Sequence, residues 1–122
     1  MESFGPIVGD WKNDGELSNG KKTRLDYLSK LLEINEKNID KIRYQLLHRT
    51  ASAVIMAQKI KCDFAIMAVQ SFQFSEESFS DYTSFLELLG LNAMKNSICG
   101  PVIFSGIPTY FCWIQISYNG GI

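Results

Sequence analysis

Two ingredients of most catalytic and metal-binding sites are scarce in this chain, which has one histidine, His48, and three cysteines, at positions 62, 99 and 112. The cysteines are odd in number and widely separated, without the pair spacing of a zinc site, and read as buried apolar residues of a reducing interior. No apolar run approaches the roughly 20 residues that span a bilayer, and no basic-then-apolar leader opens the chain, so a cytosolic location is expected. The segment Gly5-Pro6-Ile7-Val8-Gly9 lacks the third glycine and the lysine that phosphate cradles need, which argues against a nucleotide site. Acids are not grouped as cation ligands either. Asp10 and Asp14 flank Trp11 in an expected turn, and Glu76-Glu77 precede a helix whose dipole favours them. No Asp followed by Glu-x-Lys occurs on paired strands. No catalytic residue, metal ligand or cofactor-binding residue is therefore assigned, and no cofactor is expected.

What remains is the composition of one globular domain: 122 residues, 46% hydrophobic and 20% charged, with three prolines. The net charge of −1 conceals an uneven distribution. Residues 21–61 carry ten Lys/Arg against four Asp/Glu, while residues 62–122 carry one against five. A basic middle segment permits a nucleic-acid or acidic-partner surface there, and also suits ordinary solvated helix faces.

The periodicity predicts a short helix around Pro6 to Trp11, capped by Ser3 and ended by the Asn13-Asp14-Gly15 turn signal. From Gly20, Leu25, Leu28, Leu31 and Leu32 recur at helical spacing among charges, an amphipathic helix broken at Asn35 to Asn38. A longer helix is expected from about Asp40 to Lys61, with Ile42, Leu46, Ala53, Val54 and Ala57 inside. Phe64 to Val69 is a continuous apolar run, expected as a central strand buried on both faces. Ser78 or Ser80 is expected to cap the next helix, with Phe79, Tyr82, Phe85, Leu86 and Leu89 on one stripe and Gly90 at its end. Val102 to Ser105 and Tyr110 to Ser117 are then paired as an antiparallel hairpin, and residues 118–122 form a loose tail. The expected fold is α/β or α+β: a small mixed sheet of about three strands with three to four helices, in a single domain. So thin a sheet suggests a strand supplied by a preceding segment or a second copy, and a homodimer by sheet-edge pairing.

The long helix contains the one cluster that packing alone does not require. Gln45, His48, Arg49 and Ser52 form a connected row at three- and four-residue spacing, and Arg43 stands just ahead of them. These five are the candidate partner-binding residues. The arginines suit bidentate contact with phosphate, or else internal pairing with Asp81 or Glu87. His48 has two further readings, as the base for a Cys or Ser nucleophile or as a hydrogen-bonded structural residue.

The segments Glu2-Ser3-Phe4-Gly5-Pro6-Ile7-Val8 with Trp11, Arg24-Leu25-Asp26-Tyr27-Leu28, Arg43 to Val54, and Val69-Gln70-Ser71-Phe72 resemble uncharacterised bacterial proteins of restriction-endonuclease-like, PD-(D/E)xK, character. That resemblance implies a strand carrying Glu-x-Lys just before the Ser-Phe-Gly-Pro segment and a metal-binding Asp earlier still, whereas this chain opens at Met1-Glu2. It therefore resembles the C-terminal part of such a fold without its cation ligands and catalytic lysine, and no catalytic residue carries over. The implied function is a non-catalytic binding or inhibitor protein engaging a protein or nucleic acid, as a phage or mobile-element inhibitor of a host nuclease defence would. The alternative is a metal-dependent nuclease fragment or subunit. Its metal site would be completed by a missing N-terminal segment, by another chain, or by Asp10, Asp14 or Glu16.

Overall fold

The computed structural model describes residues 4–13, 19–34, 39–72 and 75–116. The elements run α1 (Val8–Asn13), α2 (Asn19–Leu31), α3 (Tyr44–Lys59), β1 (Ala65–Ser71), α4 (Glu76–Leu88), β2 (Ile98–Phe104) and β3 (Ile107–Gln115). This is the mixed α+β fold that the alternation of periods predicts, a three-stranded sheet with four helices. Ser3, Asp14, Gly15 and the 118–122 tail lie outside the described residues, and so does the Asn35 to Asn38 break.

The strand order is β1-β3-β2, with β1 parallel and β2 antiparallel to β3. The predicted hairpin is present and longer than its apolar cores. Its two-residue turn has Ser105 at φ 50° and Gly106 at φ 83°, the primed geometry whose twist matches that of the flanking strands. Gly100-Pro101 lies inside β2 rather than before it, where the register with β3 shifts between Cys99 and Val102. Gly100, at φ +116°, passes so close to β3 that an added Cβ would lie 2.9 Å from the Thr109 carbonyl oxygen. Pro108 is tolerated in β3 because its parallel pairing with β1 begins only at Thr109, so its missing N–H falls where β3 has one neighbour.

The strand at 64–69 is not central and not buried on both faces. β1 is an edge strand, its residues alternately buried and exposed from Ala65 to Ser71. Met67 and Val69 join Phe111 and Trp113 under the helices, and Ala65 is buried on the same face. Leu46, Leu47, Ala51 and Val54 of α3 and Tyr82, Phe85 and Leu86 of α4 complete this layer, and Leu25 and Leu28 of α2 extend the same core. Phe85 meets Phe111 edge-on at 5.9 Å, and Trp113 takes ring contacts from Phe4, Phe79 and Tyr82. The cap of α4 is Ser75, whose hydroxyl accepts from the Ser78 backbone N–H at 3.2 Å; Ser78 is buried in the first turn. Glu76 and Glu77 stand inside that turn, beside the positive end of the helix dipole.

Tyr82 is fully buried, and its hydroxyl has no hydrogen-bond partner among the described residues. Burial pushes the phenol's pKa up, with Cys99 and Cys112 adding to the effect. Deleting an unpaired buried hydroxyl removes a desolvation cost, so Tyr82→Phe is expected to raise unfolding stability by about 1 kcal/mol in urea titrations. A loss of stability would mean that the hydroxyl has a partner.

Candidate functional site

α3 is placed by the chain that precedes it. Arg43 is extended, with φ −66° and ψ 126°, and provides no side-chain cap. The entry is held instead by a backbone strap: Ile7 bridges Arg43, the Tyr44 N–H donates to Pro6 at 3.0 Å, and Val8 donates to Ile42 at 2.7 Å. The helix thus starts four residues later than its periodicity suggests, because the strap takes residues 40–43 for pairing. Leu46, Leu47, Thr50, Ala51, Val54 and Ala57 then form the buried face, and the Thr50 hydroxyl is satisfied by the Leu46 carbonyl at 2.8 Å.

The opposite face carries the predicted row. His48, Arg49 and Ser52 are exposed and Gln45 is half-buried. Gln45 lies against Gly5, whose φ of +74° and missing Cβ make room for the amide; an added Cβ would lie 2.9 Å from Nε2. Gln45 Oε1 accepts from Arg49 Nη2 at 3.4 Å, and the Arg49 guanidinium lies 5.6 Å from the centroid of the Phe4 ring.

Arg43 is not part of this row. Its Nε donates to Asp81 at 2.9 Å, its Nη1 to the Gly5 carbonyl at 2.8 Å, and its Nη2 to Glu77 at 3.4 Å. The guanidinium clamps α4 to the strap and the entry of α3, which is the internal pairing with Asp81. Glu87 is not the partner.

Three residues outside the predicted set complete the surface. Tyr44, one turn before His48, has its ring 6.0 Å from the imidazole and stacks on Trp11 at 4.0 Å with an interplanar angle of 7°. Lys21 stands 5.4 Å from the Trp11 ring centroid and donates to the Trp11 carbonyl at 2.9 Å. A ladder of cation, indole, phenol and imidazole therefore runs from α2 across α1 to the exposed side of α3. The four-residue spacing of Tyr44 and His48 was a usable sequence signal; the approach of Trp11 had none.

The other chemistries find less support. Cys62 follows the far end of α3, about 20 Å along the helix axis from His48 at ~1.5 Å per residue. Cys99 and Cys112 belong to the sheet, and burial together with Cys99 pushes the Cys112 thiol up, against thiolate formation. Asp10 is exposed on α1, and Asp14 and Glu16 lie outside the described residues. Among the described residues no group of three or more His, Cys, Asp or Glu is arranged to hold a metal ion. No described helix is long and apolar enough to cross a membrane.

Residues 1–118 match a family described as Domain of unknown function (DUF6946). No curated protein and no solved structure matches the chain. The match covers nearly the whole sequence, so the chain belongs to that family.

Proposed function

We propose that this member of the DUF6946 family is a non-catalytic binding module on a scaffold of restriction-endonuclease-like, PD-(D/E)xK, character. It engages an anionic partner, nucleic acid or acidic protein, through Gln45, His48, Arg49 and Ser52 of α3. The observation that supports this most is the division of labour between the two arginines. Arg43 is drawn into the fold by Asp81 and Gly5, whereas Arg49 keeps an exposed position and leans on Phe4 and Gln45. A guanidinium that is exposed yet positioned loses less side-chain entropy on meeting a carboxylate or phosphate. Tyr44 stacked on Trp11 gives His48 a similarly firm base.

The test is a photo-crosslinking side chain at Ser52, with Ser84 on the exposed side of α4 as the control position, irradiated in the native cell. Adducts are expected at 52 and not at 84, and nuclease treatment of the adduct separates a nucleic-acid partner from a protein one. His48→Glu with Arg49→Glu should reduce the adduct at least ~10-fold while leaving the melting temperature unchanged, since both side chains are exposed. Equal yields at 52 and 84, or a yield that ignores the double substitution, would remove the proposal.

A further inference from the structure

The helices cover one face of the sheet, and the strand residues on the other, among those described, carry no charge. The register sets Ile66 beside Tyr110, Ala68 beside Cys112, and Ile98 beside Cys112 from the opposite side. Gln70 and Ile114 pair at one end of this face and Ile103 stands with Pro108 at the other. Phe64, just before β1, meets Tyr110 edge-on at 6.0 Å. Phe64, Ile66, Tyr110 and Ile98 wall a cleft of about 320 Å³. Phe64 is 53% exposed, Ile66 47%, Ile98 65% and Ile103 56%.

Such a face is unusual for a strand like β1. Parallel strands are normally covered on both sides, and the uninterrupted apolar run at 64–69 has the composition of a strand so covered. The patch, on the order of 500 Å², is as large as the largest that soluble monomers ordinarily expose.

We propose that this face is covered by a second copy of the same chain, packed face to face about a two-fold axis. Charge decides the occupant. An anionic or cationic partner would lose hydration here and find no counter-charge. The chain's other helical surfaces are themselves charged: Lys22, Arg24 and Lys30 on α2, Arg49 and Lys59 on α3, Glu76 and Glu87 on α4. A head-to-tail contact would press those charges onto apolar side chains, so among surfaces of this chain the uncharged face fits itself. That is an isologous contact, which closes at two copies. At the ~10 Å spacing of packed sheets, Ile98, the most exposed of the four, is the knob for the partner's cleft. An area on the order of 500 Å² per copy is below the ~800 Å² of a standard interface, so the dimer is expected to be weak and its population concentration-dependent. This pairing is independent of the α3 row and differs from pairing along the free edge of β1.

Sedimentation equilibrium of the full chain from about 1 to about 200 µM reads the assembly directly. The wild type is expected to reach dimer mass at the upper end. Ile66→Lys and Ile98→Lys, each on its own strand and already about half or more in solvent, should each remain monomeric throughout, with the far-UV circular dichroism of the wild type. Arg49→Glu should dimerise as the wild type does. A wild type that stays monomeric at the highest concentration overturns the proposal. So does a dimer that both lysine variants retain, since it would use another surface.

Discussion

Trp113→Ala is expected to lower unfolding stability by about 3–5 kcal/mol, the cost of truncating a fully buried tryptophan. Trp113 sits in the central strand, fully excluded from solvent, between β1 and the segment before β2. Phe79 approaches it edge-on at 5.1 Å, Tyr82 lies at 5.4 Å and Phe4 at 6.4 Å. The rings come from two separate parts of the chain, α4 and the segment before α1, so no single movement closes the cavity that alanine would leave. The loss is also polar. The indole N–H donates to Gln115 Oε1 at 3.0 Å, and the same amide reaches the Ser71 carbonyl at 3.1 Å, joining the ends of β3 and β1. Urea titration followed by far-UV circular dichroism measures the effect. Since domains of this size are stable by only ~5–15 kcal/mol, the variant should be partly unfolded at modest denaturant. A midpoint close to that of the wild type would mean that these rings are not the centre of the core.

Arg43→Met is expected to cost about 2–3 kcal/mol, far more than Arg49→Ala, which should stay within ~0.5 kcal/mol. Both are arginines near the start of α3, and burial separates them. The Arg43 and Asp81 side chains are 23% and 21% exposed and meet at 2.9 Å. Glu77 is a weaker third member, largely solvated and at 3.4 Å. Removing the guanidinium leaves a mostly buried carboxylate without its cation and the Gly5 carbonyl without its donor. Residual exposure keeps the figure below that of a fully buried pair. Asp81→Asn should cost less, because an amide can still accept from Nε. The double variant Arg43→Met with Asp81→Leu should be milder than the sum of its parts by at least ~1 kcal/mol. Equal effects of Arg43→Met and Arg49→Ala would show that the clamp contributes nothing.

These two arginines also mark the limit of sequence reading for the site. The row at 45, 48, 49 and 52 follows from helical period alone, and the structure turns it outward. Whether Arg43 belonged to it depended on an acid 38 residues away, and Asp81 and Glu87 stand about equally well in the sequence. Only packing α4 against the strap distinguishes them. Trp11 beneath Tyr44 is a contact across 33 positions, and nothing local to either residue signals it.

The fold divides in the same way. α2, α4 and the hairpin announce themselves through leucine and aromatic spacing, a glycine stop and a short turn. The cap of α4 lies three or five residues before the serines expected for it, because Ser75, Ser78 and Ser80 are alike in composition and only the extended backbone of Ser75 and its bond from the Ser78 N–H select it. The periodicity over-extends the long helix because residues 40–43 are apolar and charged in a helical rhythm, yet the Asp40 and Ile42 carbonyls accept from Gly9 and Val8 of the strap. β1 was misplaced for a different reason. An apolar run reports that a strand expects cover on both sides, and is silent about whether its own chain provides that cover.

The two pairings of β3 differ in how far apart in sequence their partners lie. β2 meets β3 across a turn of two residues, whereas Ala65 of β1 meets Thr109, with α4 and β2 intervening. Closing the short loop costs less entropy than closing the long one, so the hairpin is expected to form first and the docking of β1 last. The uncharged face needs Ile66 and Ala68 alongside Tyr110 and Cys112, so it is assembled only in that last step. A nascent or half-folded chain therefore does not yet carry the continuous apolar face, and the self-association proposed for that face would be deferred until the rest of the molecule is in place.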